Sequence, residues 1–135
     1  MDTCLVKIKE AVNAMDILLI EDDLIAQKVA TKILGSLGCC VVSANDGMTA
    51  LALIRQRSFQ IILIDLGLPD MDGYLLAHHI VAGLQAQQQS SRLIALSAYV
   101  SAEERQHSEA AGIQQILEKP LSFEKARKII HAEFR

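Results

Sequence analysis

Short apolar runs, none longer than a single strand, recur along the chain: Ile17 to Ile20, Ile61 to Ile64, Leu93 to Leu96 and the weaker Ile113 to Leu117. A strand with one wet face alternates apolar and polar residues. Runs without that alternation read as strands buried on both faces, the condition of a parallel sheet covered by helices on either side. Cys39 to Ala44 is a fifth, less apolar candidate. Between the runs, apolar residues return at helical spacing: Ile25, Val29, Ile33 and Leu37, then Leu76, Ile80 and Leu84, then Phe123, Ala126, Ile130 and Phe134. Gly38 fits the end of the first helix, while Pro69, Gly73 and Pro120 mark turns that follow strands. Alternating strands and helices predict an α/β fold, a five-stranded, mostly parallel sheet with helices on both faces.

A chain of 135 residues is one domain's worth of core, and 51% hydrophobic with 21% charged residues excludes a disordered segment. The net charge of -3 gives no electrostatic reason to bind nucleic acid or an anionic membrane surface. No apolar run approaches the roughly 20 residues that span a bilayer, and residues 1 to 15 carry charges where a signal peptide needs an apolar stretch. A cytoplasmic protein is expected. Residues 1–15, with Leu5, Val6, Ile8, Val12 and Met15, read as an N-terminal extension or linker ahead of a domain at 16–135. The chain stops after the last helical pattern, so it is expected to act through a partner or to be part of a larger protein. Three cysteines, two of them the neighbours Cys39 and Cys40, suit neither a disulfide framework nor a C-x-x-C zinc site and read as reduced packing residues. His78, His79, His107 and His131 lack partners at ligand spacing and read as surface or packing residues.

In an open parallel sheet, ligands bind beyond the carboxyl ends of the strands, where the connections switch direction. The polar residues at those ends are Glu21, Asp22 and Asp23 after the first run, Asp65 after the third, Ser97 after the fourth and Lys119 after the fifth. Carboxylates crowded together repel, and a hard divalent cation relieves the repulsion. Magnesium suits this set, because it takes oxygen ligands and is commonly held by one or two carboxylates together with a phosphate oxygen. Lys119 and the Ser97 hydroxyl can serve the remaining phosphoryl oxygens while a carboxylate acts as nucleophile. The reading is phosphoryl transfer to an aspartate. Asp23 suits the N-cap of the first helix instead.

Ile17 to Asp23 (ILLIEDD), Ile61 to Gly73 (IILIDLGLPDMDG), Leu96 to Tyr99 (LSAY) and Glu118 to Leu121 (EKPL) together resemble the response-regulator receiver family of two-component signalling, from about Asp16 onward. The resemblance implies a flavodoxin-like sheet of order 2-1-3-4-5 and a Mg2+-dependent phosphoacceptor. By position, Asp65 matches the acceptor, Asp22 the acid that binds the metal directly, and Glu21 its neighbour acting through water. Gly67 matches the residue whose carbonyl binds the metal, Ser97 the hydroxyl residue, and Lys119 the lysine, followed by Pro120 across a bond often cis in the family. DLGLPDMDG and AQKVATKILGSLGC are similar to receivers of hybrid sensor kinases, which implies a histidine kinase or histidine phosphotransfer domain as partner. Two departures stand out: Ile116 occupies the position of the usual aromatic switch residue, and Tyr99 follows Ser97 by two. Phosphorylation is therefore expected to reorganise mainly the loops around Asp65 and Ser97.

Three other readings compete. A flavodoxin-type cofactor protein needs a Ser/Thr/Gly-rich phosphate loop where this chain has three acids. A degenerate receiver would lack a reactive residue, and all are present. An aspartyl-phosphate phosphatase usually carries a second Asp two residues past the nucleophile, where Gly67 stands.

Overall fold

The computed structural model describes residues 15–133, and side chains to residue 131. Residues 1–14 and Phe134 lie outside the described residues, and the readings made for them with them. Five strands alternate with five helices: β1 (Asp16–Ile20), α1 (Leu24–Ser36), β2 (Cys40–Ala44), α2 (Gly47–Gln56), β3 (Ile61–Asp65), α3 (Gly73–Ala86), β4 (Arg92–Ser97), α4 (Ala102–Ala110), β5 (Gln115–Glu118) and α5 (Phe123–Glu133). The sheet order is β2-β1-β3-β4-β5 with every pairing parallel. This is the flavodoxin-like arrangement, whose topological switch lies between β1 and β3.

The central strands are buried on both faces, and the two-residue period of a strand divides their side chains between two cores. Leu18, Ile20, Ile62 and Ile64 pack with Ile54, Leu76 and Ile80 of α2 and α3. Ile17, Leu19, Ile61 and Leu63 pack on the other face with Leu34, Ala126 and Ile129 of α1 and α5. β2 and β5 are the sheet edges and are less completely buried.

The α1 stripe expected at Ile25, Val29, Ile33 and Leu37 marks the helix, and its Ile33 and Leu37 pack partly against the core, but the centre of the inner face lies elsewhere. Ala30 and Leu34 point into the core, while Ile25 is 75% and Val29 49% exposed. Gly38 ends the helix as expected: its φ of +87° is a left-handed conformation that a side chain would strain, and it lets the Cys39 N–H turn back onto the Leu34 carbonyl. Gly73 is not a turn residue but the first residue of α3, behind the N-cap Asp72. Cys39 is a buried thiol, whereas Cys40 takes part in a disulfide, which corrects the expectation of three reduced cysteines; Cys4 lies outside the described residues. His78, His79 and His131 are at the surface, and exposed His107 sets its ring edge-on to Tyr74 at 5.6 Å. Among the described residues, no helix is long and apolar enough to cross a membrane.

Candidate phosphoacceptor site

Asp65 is the last residue of β3, one residue past the pairing with β1 and opposite Leu96 of β4, so its side chain emerges at the carboxyl edge of the sheet. It is 3% exposed. Glu21 follows β1 directly, and its N–H donates to the Ala44 carbonyl of β2, which holds the acidic loop beside Asp65. Gln27, from α1, ties that loop down by donating to the Glu21 carbonyl at 3.0 Å and to Asn45 Oδ1 at 2.9 Å. Lys119 leaves the end of β5, where its N–H donates to the Ser97 carbonyl at 2.7 Å, and the following bond to Pro120 is cis. Glu21, Asp22, Asp65, Gly67, Ser97 and Lys119 all line one open cavity of about 360 Å³. Every residue singled out from the sequence for chemistry is therefore in one place.

Asp65 Oδ1 accepts the Gly67 N–H at 2.9 Å and faces the Lys119 ammonium at 2.8 Å. Lys119 Nζ also lies 3.5 Å from Glu21 Oε1. Burial alone would raise the Asp65 carboxyl, but hydrogen bonds from Glu21, Lys119 and Gly67 hold it below the usual aspartate value. Glu21 moves the other way: burial first, then the adjacent Asp65, push it up to about 7. Burial would lower Lys119, and the hydrogen bond and charge of Asp65, with Glu21 behind, raise it. One lysine thus faces more negative charge than it can neutralise.

That imbalance bears on metal binding. Glu21, Asp22 and Asp65 each bring a carboxylate oxygen within 4.8 Å of the others, with Asp22 exposed to incoming solvent or ligand. An all-oxygen donor set with excess negative charge fits a hard divalent cation such as Mg2+. Asp23 stays out of the cluster: its Oδ1 accepts the Ile25 N–H at 2.9 Å and that of Ala26 at 3.5 Å, so it is the N-cap of α1.

Ser97 is buried at the end of β4, and its hydroxyl donates to Glu104 Oε2 at 2.5 Å, with the Tyr99 carbonyl at 3.0 Å as alternative acceptor. Glu104, from the first turn of α4, lines the same cavity and was not anticipated. Its sequence signal was the S-x-x-E pattern of Ser101 and Glu104, which marks a helix start. Ile116 is buried in the core shared with α2 and α3, where an aliphatic side chain packs without a polar tip.

Known proteins similar in sequence and fold show the family. The chain is 35% identical over 120 residues to the sensor histidine kinase AruS of Pseudomonas aeruginosa, covering 89% of this chain and 12% of that protein. The chain therefore spans a small part of that relative's length. Chemotaxis protein CheY4 of Vibrio cholerae superposes with a TM-score of 0.81 at 25% identity, covering 88% of this chain and 98% of CheY4. The receiver domain of sensor histidine kinase PA1611 from Pseudomonas aeruginosa, solved with a magnesium ion coordinated in its active site cleft, superposes with a TM-score of 0.78 at 30% identity, covering 88% of this chain and 96% of that domain. Residues 17–131 match the family model of the response regulator receiver domain, and the chain belongs to that family.

Proposed function

We propose that Asp65 is the phosphoacceptor of this receiver domain, taking its phosphoryl group from a phosphohistidine of a histidine kinase or phosphotransfer partner in a Mg2+-dependent reaction. The observation that carries this reading is the Lys119 ammonium, 2.8 Å from Asp65 Oδ1 inside a cluster of three carboxylates. A carboxylate kept ionised by Glu21, Lys119 and Gly67 together is a ready nucleophile.

An Asp65 carboxylate oxygen attacks phosphorus, the phosphorus–nitrogen bond of the donor breaks, and its electron pair stays on the imidazole nitrogen. Lys119 meets one phosphoryl oxygen and Ser97 donates its hydroxyl to another. Glu21, Asp22, Asp65 and the Gly67 carbonyl are the residues that would hold Mg2+, which supplies neutralisation of the phosphoryl charge when bound. The receiver domain of PA1611, 30% identical and solved with magnesium in its active site cleft, supports magnesium as the metal.

A protein partner suits the surroundings of the site. Leu24, Ile25 and Val29 on α1 and Phe123 on α5 are exposed, and Ile25 and Val29 line an apolar groove that continues to Glu21 and Lys119. Contiguous exposed apolar surface beside a reactive group marks a protein docking face. The test is incubation with a small phosphodonor such as acetyl phosphate and Mg2+: intact-protein mass spectrometry shows one added phosphoryl group, abolished by chelation and by Asp65→Asn. Undiminished labelling of Asp65→Asn disproves the assignment.

A further inference from the structure

The Ser97 hydroxyl has two calls on it. A phosphoryl group on Asp65 needs its proton, yet that proton already goes to Glu104 Oε2 at 2.5 Å. Such a charge-assisted bond is roughly twice as strong as a neutral one, so it is a real competitor. Glu104 has an evident alternative. In the S-x-x-E pattern of a capping box its carboxylate would turn back to the Ser101 N–H, and half of that box is formed, since Ser101 Oγ accepts the Glu104 N–H at 3.1 Å. The side chain reaches to Ser97 instead.

Near Glu104 lie two polar groups that no well-formed hydrogen bond satisfies. The Tyr74 hydroxyl and Ser108 Oγ are buried without hydrogen-bond partners. Tyr74 packs against α4, its ring edge-on to His107 at 5.6 Å, and burial first, then the charge and incipient hydrogen bonding of Glu104, raise its hydroxyl. Unpaired buried hydroxyls cost stability, so their placement beside a carboxylate calls for a physical reason.

We infer that Glu104 is a latch: it holds the Ser97 hydroxyl away from Asp65 in the unphosphorylated domain, and on phosphorylation it releases Ser97 and closes fully onto the Tyr74 hydroxyl. The phosphoryl dianion drives the exchange from two sides, by attracting the Ser97 proton and by repelling the Glu104 carboxylate that lines the same cavity. Because Glu104 stands in the first turn of α4 and Tyr74 in the first turn of α3, the exchange ties phosphorylation to the packing of those two helix starts. This route bypasses the position of Ile116. Glu104 is in these terms a positioning residue for Ser97. The inference rests on the reading of Asp65 as phosphoacceptor.

The test uses beryllofluoride, which mimics a phosphoryl group on a carboxylate, titrated against the whole chain at saturating Mg2+. Loss of a latch bond favours the phosphorylated-like state, so Glu104→Ala binds about tenfold more tightly than the parent chain. Glu104→Gln, which keeps an acceptor but no charge, falls between. In a Ser97→Ala background the gain from Glu104→Ala shrinks to within about twofold, because there is no hydroxyl left to release. Tyr74→Phe binds several-fold more weakly in the parent chain but not in Glu104→Ala. A Glu104→Ala chain that melts normally yet binds no more tightly overturns the latch. So does an undiminished gain in the Ser97→Ala background, which would be a plain charge effect. If the parent chain itself takes no beryllofluoride, or Asp65→Asn takes as much, it is the phosphoacceptor reading that fails.

Discussion

The Lys119 ammonium and the Gly67 N–H converge on one oxygen of Asp65, Oδ1, at 2.8 and 2.9 Å. Both are donors that must be shared or surrendered as a phosphoryl group arrives. On the proposed reading Lys119 serves the transferred group electrostatically rather than as a structural ion pair. Lys119→Ala is expected to slow phosphorylation by a small donor on the order of a hundredfold. Magnesium affinity should hold or rise, because a cation has been removed from among carboxylates. Mass-spectrometric time courses and a metal titration on the same variant measure both; a joint loss would mean that Lys119 builds the site rather than serves the reaction.

Adjacent acids should separate by function. Asp23→Ala removes the cap that accepts the Ile25 N–H and should cost about 1 kcal/mol of stability with magnesium affinity unchanged. Asp22→Ala should weaken magnesium by at least roughly tenfold while leaving metal-free stability nearly untouched. Denaturant titrations with and without Mg2+ read both effects, since a ligand specific to the folded state raises stability by mass action. Equal loss of the magnesium effect in the two variants would show the acids to be misassigned.

Two glycines of α3 predict opposite outcomes. A Cβ on Gly73 would stand 2.6 Å from Leu66 Cα and 2.8 Å from the Leu66 carbonyl oxygen, backbone atoms of the loop that follows Asp65. Gly73→Ala should cost about 2 kcal/mol and slow phosphorylation by displacing that loop. Nothing lies within 4 Å of a Cβ on Gly83, so Gly83→Ala should stabilise the domain by about 1 kcal/mol through helix propensity alone. Unfolding curves of the pair decide it, and a neutral Gly73→Ala would mean that the loop yields freely.

The central strands could be read from sequence because burial on both faces removes alternation, and the acids at their ends fell together once the parallel order was assumed. β2 was faint for a physical reason: as an edge strand it keeps Ser43 and a partly open face. Helix α1 shows the opposite failure. The first half of its regular apolar stripe, Ile25 and Val29, is on the surface and the second half, Ile33 and Leu37, only flanks the core that Ala30 and Leu34 enter. Periodicity finds a helix but cannot say whether its apolar side meets the sheet or a partner. Glu104 escaped notice because a helix-start pattern accounts for it completely until a hydroxyl from another strand end is brought beside it.

The remaining prediction concerns how far a phosphoryl signal travels, and it turns on Ile116. This side chain is buried on β5, paired through the backbone with Ala95 and packed into the core on the α2 and α3 side. It is aliphatic and has no polar tip, so it cannot swing between a buried and an exposed, hydrogen-bonded position as a tyrosine there would. Tyr99, the other candidate for a moving ring, is 71% exposed and close to the site, so its motion would be local. Binding of beryllofluoride with Mg2+ should therefore shift backbone amides around Asp65 and Ser97 and through the first turns of α4, where Glu104 is held. Residues of β5, and those of α5 beyond the Lys119–Pro120 turn, should stay close to their starting shifts, and the domain should not dimerise. A response confined to the rim of the site suits a relay, in which the partner approaches Asp65 itself, because the domain then needs no distant face to change. Amide spectra with and without the mimic, alongside sedimentation, supply the measurement. Large shifts along α5 together with mimic-dependent dimerisation would overturn the relay reading and show that an aliphatic residue at 116 still transmits the change.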